Sequence, residues 1–203
     1  ILHYIIINKL NKGKKMNHIE IEYKTLLTKE EFNRIKDYLQ QVEPIVQTNY
    51  YFDTINFELK THKMSLRIRT FTHSAELTLK VPKKIGNLEY NHQLSLTEAQ
   101  EIIKIKQLPN IEIKQFLIRA GINLSKLTVL GNLTTTRREI NTKIGLMALD
   151  YNCYAGRQDY ELELEVADAQ KGKADFEAFL KANHIKFKYA RSKVARFSAT
   201  LTE

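Results

Sequence analysis

Five segments of the sequence carry ionisable residues at every second position. In "HIEIEYKTLL" these are Glu20, Glu22 and Lys24; in "LRIRT", Arg67 and Arg69; in "AELTLKV", Glu76 and Lys80 around Thr78; in "TTRRE", Arg137 and Glu139; in "YELELEV", Glu161, Glu163 and Glu165. The residues between them are mostly apolar, among them Ile21, Tyr23, Leu66, Ile68, Leu77, Leu79, Leu162 and Leu164. Strand side chains alternate faces with period two, so each segment, read as a strand, has one apolar and one charged face. A solvated open sheet would satisfy that pattern. Segregation by sign strains it: three Glu on one strand and two Arg on another set like charges ~7 Å apart, where a merely soluble surface intersperses the signs. Turned inward, such faces line a lumen with Arg and Lys on some walls and Glu on others. Arg forks and Lys point charges hold phosphate oxygens, and grouped carboxylates supply the hard oxygen ligands that Mg²⁺ prefers. The chemistry this composition suits is a polyanion held beside a divalent metal.

The elements that must position these residues alternate in period along the chain. "TKEEFNRIKDYLQQ" has Thr28 and Glu31 at capping-box spacing, then Phe32, Ile35 and Leu39 on one helical face. "IVQTNYYFDT", residues 64–72, residues 75–82 and "NLEYNHQLSL" read as strands. From Thr97 the pattern becomes helical in "TEAQEIIKI" and "IEIKQFLIRAG", the second stopped by Gly121. Strands resume over 127–140, 146–154 and 159–166, followed by an amphipathic helix over 173–183 and a short one over 192–201 that Ser192 could cap. About eight strands with short connections predict an α+β protein: a closed eight-stranded antiparallel β-barrel with helices packed outside it.

Composition narrows the class. With 203 residues, 43% of them hydrophobic and 27% charged, the chain is long enough for one barrel domain and has no low-complexity tract. Cys153 is the only cysteine, which excludes an internal disulfide and a cysteine-rich zinc site and fits a cytoplasmic setting. No apolar run reaches the ~20 residues of a membrane span. Residues 1–15, "ILHYIIINKLNKGKK", have neither a helical stripe nor the order of a signal peptide, so they are expected to be a translated leader before Met16, with 16–203 a single domain. The net charge is +9, and Lys9, Lys12, Lys14 and Lys15 of that leader supply four of these charges, leaving +5. That excess is compatible with an anionic ligand and does not call for nucleic acid. A homodimer is compatible with all of this.

"EIEYK" resembles the ExExK signature of the CYTH superfamily, also called triphosphate tunnel metalloenzymes. It is followed in order by "YYFDT", "LRIRT", "LTLK", "RRE", "LDYNCY" and "YELELEV", and the whole is most similar to the YjbK-like single-domain members of Gram-positive bacteria. The resemblance implies that Glu20 and Glu22 are metal ligands with catalytic roles and that Lys24 contacts phosphate. It implies phosphate grips at Arg67, Arg69, Lys80 and Arg137, with Lys193 on the terminal helix as a last basic contact. Asp150 matches the acid of the late "LD" strand, and Glu163 and Glu165 match the closing ExE, with Glu161 competing for the same two roles. Glu89 is a looser match, and Arg138 faces outward by parity. What is implied is a Mg²⁺- or Mn²⁺-dependent triphosphatase acting on tripolyphosphate or a nucleoside or organic triphosphate. Two alternatives stand beside it: a class IV adenylyl cyclase, or a non-catalytic sensor of polyphosphate or nucleotide. Cyclases of the family carry a His-Phe pair six residues before ExExK, where this chain has Lys14; the absence of Trp also disfavours a thiamine triphosphatase.

Other residues have two readings each. His18 is a proton shuttle or a rim residue. Tyr50, Tyr51 and Phe52 stack a nucleobase or pack a core. Asp53 binds metal or caps the turn that follows it. The glycines are isolated, so phosphate recognition has to come from side chains.

Overall fold

The computed structural model describes residues 17–201, and the expected leader lies outside them. The elements are β1 (Asn17–Leu27), α1 (Lys29–Tyr38), β2 (Ile45–Thr54), α2 (Glu58–Thr61), β3 (Ser65–Thr70), β4 (Ala75–Pro82) and β5 (Asn87–Leu94). Then come α3 (Leu96–Ile105), α4 (Glu112–Arg119), β6 (Leu127–Thr142), β7 (Gly145–Tyr154), β8 (Arg157–Val166), α5 (Ala169–Ala182) and α6 (Lys193–Ala199). The hydrogen-bonding order β1-β5-β4-β3-β2-β6-β7-β8 closes on itself as an antiparallel barrel, as the strand count predicts. No helix among the described residues is long and apolar enough to cross a membrane.

The chain forms two compact units, one of residues 20–46 and 134–192, the other of 17–19, 47–133 and 193–201. In the first, the apolar residues Met147, Leu149, Leu162 and Leu164 of β7 and β8 pack with Ile35 of α1 and Phe176, Phe179 and Leu180 of α5. In the second, Phe52, Leu66, Ile68, Leu77 and Leu79 pack with Ala99 and Ile102 of α3 and Ile113 and Leu117 of α4. Leu66, Ile68, Leu162 and Leu164 are each 0% exposed, and burying a side chain of this size contributes ~1.5–3 kcal/mol. In both units the apolar face of the strands is committed to helices, and the alternate residues are committed to the opposite face.

Helix starts follow capping chemistry. Thr28 and Glu31 form both halves of a capping box on α1, and Ser95 and Glu98 do the same on α3. α5 begins four residues before the sequence pattern suggests. Asp168 caps it by accepting from the Lys171 N–H at 2.7 Å. Gly172 continues it, because a Cβ there would lie 2.5 Å from Val166 Cγ2. α2 was not expected. Its N-terminus is held by Asp53, which accepts from the N–H groups of Leu59 at 2.8 Å and Lys60 at 3.0 Å, so the capping reading of Asp53 is the one realised.

Glu31 is also the anchor of a distant segment. Its carboxylate accepts from Lys188 Nζ at 2.8 and 3.1 Å, and the Lys188 N–H donates to Thr25 Oγ1 of β1 at 2.8 Å. Burial acts to raise the Glu31 pKa, but the bonds from Lys188 and from the Thr28 N–H prevail and hold it below the ordinary 4.5. A group whose folded pKa is depressed stabilises above the unfolded value and loses that stability as pH falls through the folded one. Glu31→Gln keeps the capping geometry and loses the charge. It should therefore cost about 1 kcal/mol at pH 7 in a urea titration, and the gap to wild type should close as pH falls below 4.5. A gap independent of pH would show that the charge contributes nothing.

Candidate functional site

In the first unit the register converts sequence parity into one acidic face. β8 pairs with β1 so that Glu165 lies opposite Glu22 and Glu163 opposite Lys24. It pairs with β7 so that Glu161 lies opposite Asp150 and Glu163 opposite Ala148. β6 adds Arg137 opposite Asp150 and Glu139 opposite Ala148. Carboxylate oxygens of Asp150, Glu161 and Glu163 lie within 4.8 Å of one another. Asp150 and Glu161 are 0% exposed. An open cleft of ≈ 260 Å³ is lined by Glu20, Glu22, Arg137, Glu139, Glu163 and Glu165, with Leu146 and Ala148 as its apolar floor. Ala148 is the small residue of this face. A larger side chain between Glu139 and Glu163 would fill the cleft.

Arg137 makes the density of carboxylates tolerable. Its Nε donates to Asp150 Oδ1 at 2.8 Å and its NH2 to Asp150 Oδ2 at 2.6 Å, a bidentate fork, and the same NH2 donates to Glu163. NH1 reaches Glu139 at 3.3 Å. Burial acts to lower the Arg137 pKa, yet the charges of Asp150 and Glu163 overcome it and hold it well above the ordinary arginine value. Lys24 Nζ donates to Glu22 Oε1 at 2.5 Å. Arg138, next in sequence, donates instead to the Val42 carbonyl, as parity requires. The clustered carboxylates of Asp150, Glu161 and Glu163, the last of which also lines the cleft, form a set of hard oxygen donors that could hold a divalent cation.

The second unit presents a more cationic face on β2, β3, β4 and β5. Arg67 lies opposite Thr78 and Arg69 opposite Glu76. Lys80 lies opposite Glu89, to which its Nζ bonds at 2.7 Å. Glu76 and Glu89 are each 2% exposed and joined through a polar ladder: Gln93 and Thr78 donate to Glu76, Thr78 also to Asn91 Oδ1, and Asn91 to Glu89. His18 Nε2 lies 3.7 Å from Glu89 Oε2, so it sits beside the charged face at its edge. Lys193 is the first residue of α6, and α6 is seated by Phe197, whose ring stacks on Tyr51 at 5.8 Å and covers Gly131. A Cβ at Gly131 would lie 2.4 Å from Phe197 Cζ.

Thus Glu20, Glu22, Lys24, Arg137, Asp150, Glu161, Glu163 and Glu165 share one face of the first unit, and Arg67, Arg69 and Lys80 share one face of the second. Arg137, expected to grip phosphate, is found holding carboxylates. The buried Glu76 and the Asn91 and Gln93 amides, which share strand faces with Lys80 and Glu89, and Asn49, which lies opposite Arg69, were not among the expected site residues. Tyr50 and Phe52 pack the core as the blander reading held, whereas Tyr51 lies on the polar side.

Arg137 and a bound cation would compete for the same oxygens. Arg137→Met leaves Asp150 and Glu163 without their counter-charge, which should destabilise the apoprotein by roughly 3 kcal/mol. Added Mn²⁺ should then raise the melting temperature of the variant more than that of wild type. Equal shifts would show that the cation binds elsewhere.

The CYTH domain family matches residues 18–198. The proposed triphosphatase YjbK of Bacillus subtilis (strain 168) is 38% identical over 181 residues, which span 88% of this chain and 94% of YjbK. A Bacillus halodurans protein, described as a proposed adenylate cyclase, superposes with a TM-score of 0.85 at 36% identity, covering 90% of this chain and 98% of its own. HpAC1 from Hippeastrum, a proposed adenylyl cyclase described as having a dominant triphosphatase activity, gives 0.77 at 25% identity over 90% and 96% of the two chains. Strand order, charged faces and these likenesses agree, and the chain belongs to the CYTH domain family.

Proposed function

We propose that the chain hydrolyses inorganic tripolyphosphate, or a nucleoside or other organic triphosphate, with Mg²⁺ or Mn²⁺ as cofactor. The observation that carries this reading is the gathering of Asp150, Glu161 and Glu163 oxygens within 4.8 Å, a donor set that an anionic substrate alone would be repelled by and that a divalent cation fits. The names of YjbK and HpAC1 support the same reaction class.

Arg67, Arg69 and Lys80 bind phosphate oxygens and spread the charge that grows on the phosphoryl group. Lys24 holds Glu22 and offers its remaining donors to the substrate. Glu20, Glu22, Asp150, Glu161, Glu163 and Glu165 would hold the metal, which when bound neutralises phosphate charge and acts as a Lewis acid. A carboxylate of the Glu20 and Glu22 pair, or one of β8, orients the attacking water and takes its proton. The water oxygen bonds to the terminal phosphorus as the bridging P–O bond breaks. Orthophosphate leaves, and tripolyphosphate becomes pyrophosphate with the bond electrons on its terminal oxygen. Lys193, at the start of α6, is a further basic contact. A cytoplasmic setting accords with this reading.

The decisive assay incubates the protein with tripolyphosphate or ATP and Mg²⁺ or Mn²⁺, and measures phosphate, pyrophosphate and cyclic AMP separately. Orthophosphate release supports the hydrolase. Cyclic AMP would make it a cyclase, as the Bacillus halodurans description suggests for that protein, and tight binding without turnover would make it a sensor. Glu22→Gln should abolish turnover while tripolyphosphate still binds, because it removes an anionic ligand and leaves the cations. Arg67→Ala should weaken binding by about one to two orders of magnitude, the value of a charge-assisted fork. Unchanged turnover in both would refute these roles.

A further inference from the structure

On the face that β2 shares with β3, three hydrogen-bond donors are buried without an acceptor among the described residues: Asn49 Nδ2, the Tyr51 hydroxyl and Arg67 Nε. Asn49 and Tyr51 are each 1% exposed. Asn49 lies opposite Arg69 and Tyr51 opposite Arg67. Residues two apart share a face, so all four side chains leave the same side of the strand pair.

For Asn49 the direction of the unmet group is settled by its neighbour. Arg69 Nε, which can only donate, lies 3.2 Å from Asn49 Oδ1. That bond assigns the oxygen and leaves the amide NH₂ as the group without a partner. Buried donors without acceptors are rare, because nothing compensates their desolvation. A residue needed only to hold Arg69 would be better as Asp, which accepts from arginine and leaves no surplus donor. Asn supplies the same acceptor, adds a donor, and brings no negative charge to repel an anion. Surplus donors facing the same way as two guanidinium groups lack an oxygen-rich anion.

We propose that Asn49 is a substrate-binding residue: its Oδ1 holds the Arg69 guanidinium, and its Nδ2 donates to a phosphoryl oxygen of the bound triphosphate. This rests on the triphosphate reading above. The test is calorimetric titration with tripolyphosphate in EDTA, where binding is read without turnover. Asn49→Leu should weaken binding about tenfold, with a melting temperature equal to or above that of wild type, because an unmet buried donor is removed. The loss should stay at about fivefold when Asn49→Leu is made on an Arg69→Met background, in which no guanidinium remains to be held. Asn49→Asp keeps the shape and the Arg69 bond and should also bind more weakly than wild type. A change below about twofold in Asn49→Leu, disappearance of the loss with Arg69→Met, or wild-type affinity in Asn49→Asp would each overturn the proposal. If wild type neither binds tripolyphosphate in EDTA nor hydrolyses it with Mg²⁺ or Mn²⁺, the triphosphate reading falls and this inference with it; if it hydrolyses without binding in EDTA, the same fold-changes are read in KM with Mg²⁺. If wild type binds and hydrolyses it while Asn49→Leu is indistinguishable, only the role of Asn49 is lost.

Discussion

The Arg137 guanidinium lying across Asp150 and Glu163 is the interaction on which the acidic face depends. Buried carboxylates within 4.8 Å of one another repel strongly in a medium less polar than water, and two of the three cluster members are fully buried. A bidentate fork to Asp150 with a further bond to Glu163 supplies the counter-charge and fixes both carboxylates in place. Geometry makes the fork available. β6 sets Arg137 opposite Asp150, while the short side chain of Ala148 leaves the diagonal to Glu163 open. The same openness leaves a cleft into which Glu20, Glu22 and Glu165 also face.

The packing of helices on the apolar faces keeps that alternation in register. A slip of one residue in β8 would exchange Glu161, Glu163 and Glu165 for Leu162, Leu164 and Val166. The packing of Leu162 and Leu164 with α1 and α5 therefore specifies the acidic face as much as the acids do. Leu66 and Ile68 under α3 and α4 play the same part for Arg67 and Arg69. Charged and core residues alternate along the same strands, so a core substitution would be felt at the charged face through the register.

The charged faces, the strand number and the sides that pack against helices were legible because period two is a local property of the sequence. "YELELEV" carries its own orientation once one face is buried. The less legible parts depend on partners far along the chain. α2 is four residues long, and its cap, Asp53, belongs to the preceding strand. α5 runs through Gly172, which reads as a breaker until Val166 is seen to need the space. The carboxylate partners of Arg137 are not legible locally, because only the pairing of β6 with β7 puts Asp150 opposite it. Asn49 carries no charge and stands in an aromatic segment, so nothing in the local pattern marks it. Its significance comes from the Arg69 that the register brings to it.

A divalent cation held by the carboxylates of β7 and β8 would share the oxygens that Arg137 bonds. Anomalous diffraction from crystals grown with Mn²⁺ and tripolyphosphate measures this directly. The predicted result is a manganese peak bonded, at about 2.1–2.2 Å, to carboxylate oxygens of the Asp150, Glu161 and Glu163 group or of Glu20, Glu22 and Glu165, with the Arg137 fork to Asp150 loosened. A peak remote from all six carboxylates, or none with the fork intact and tripolyphosphate bound, would contradict it.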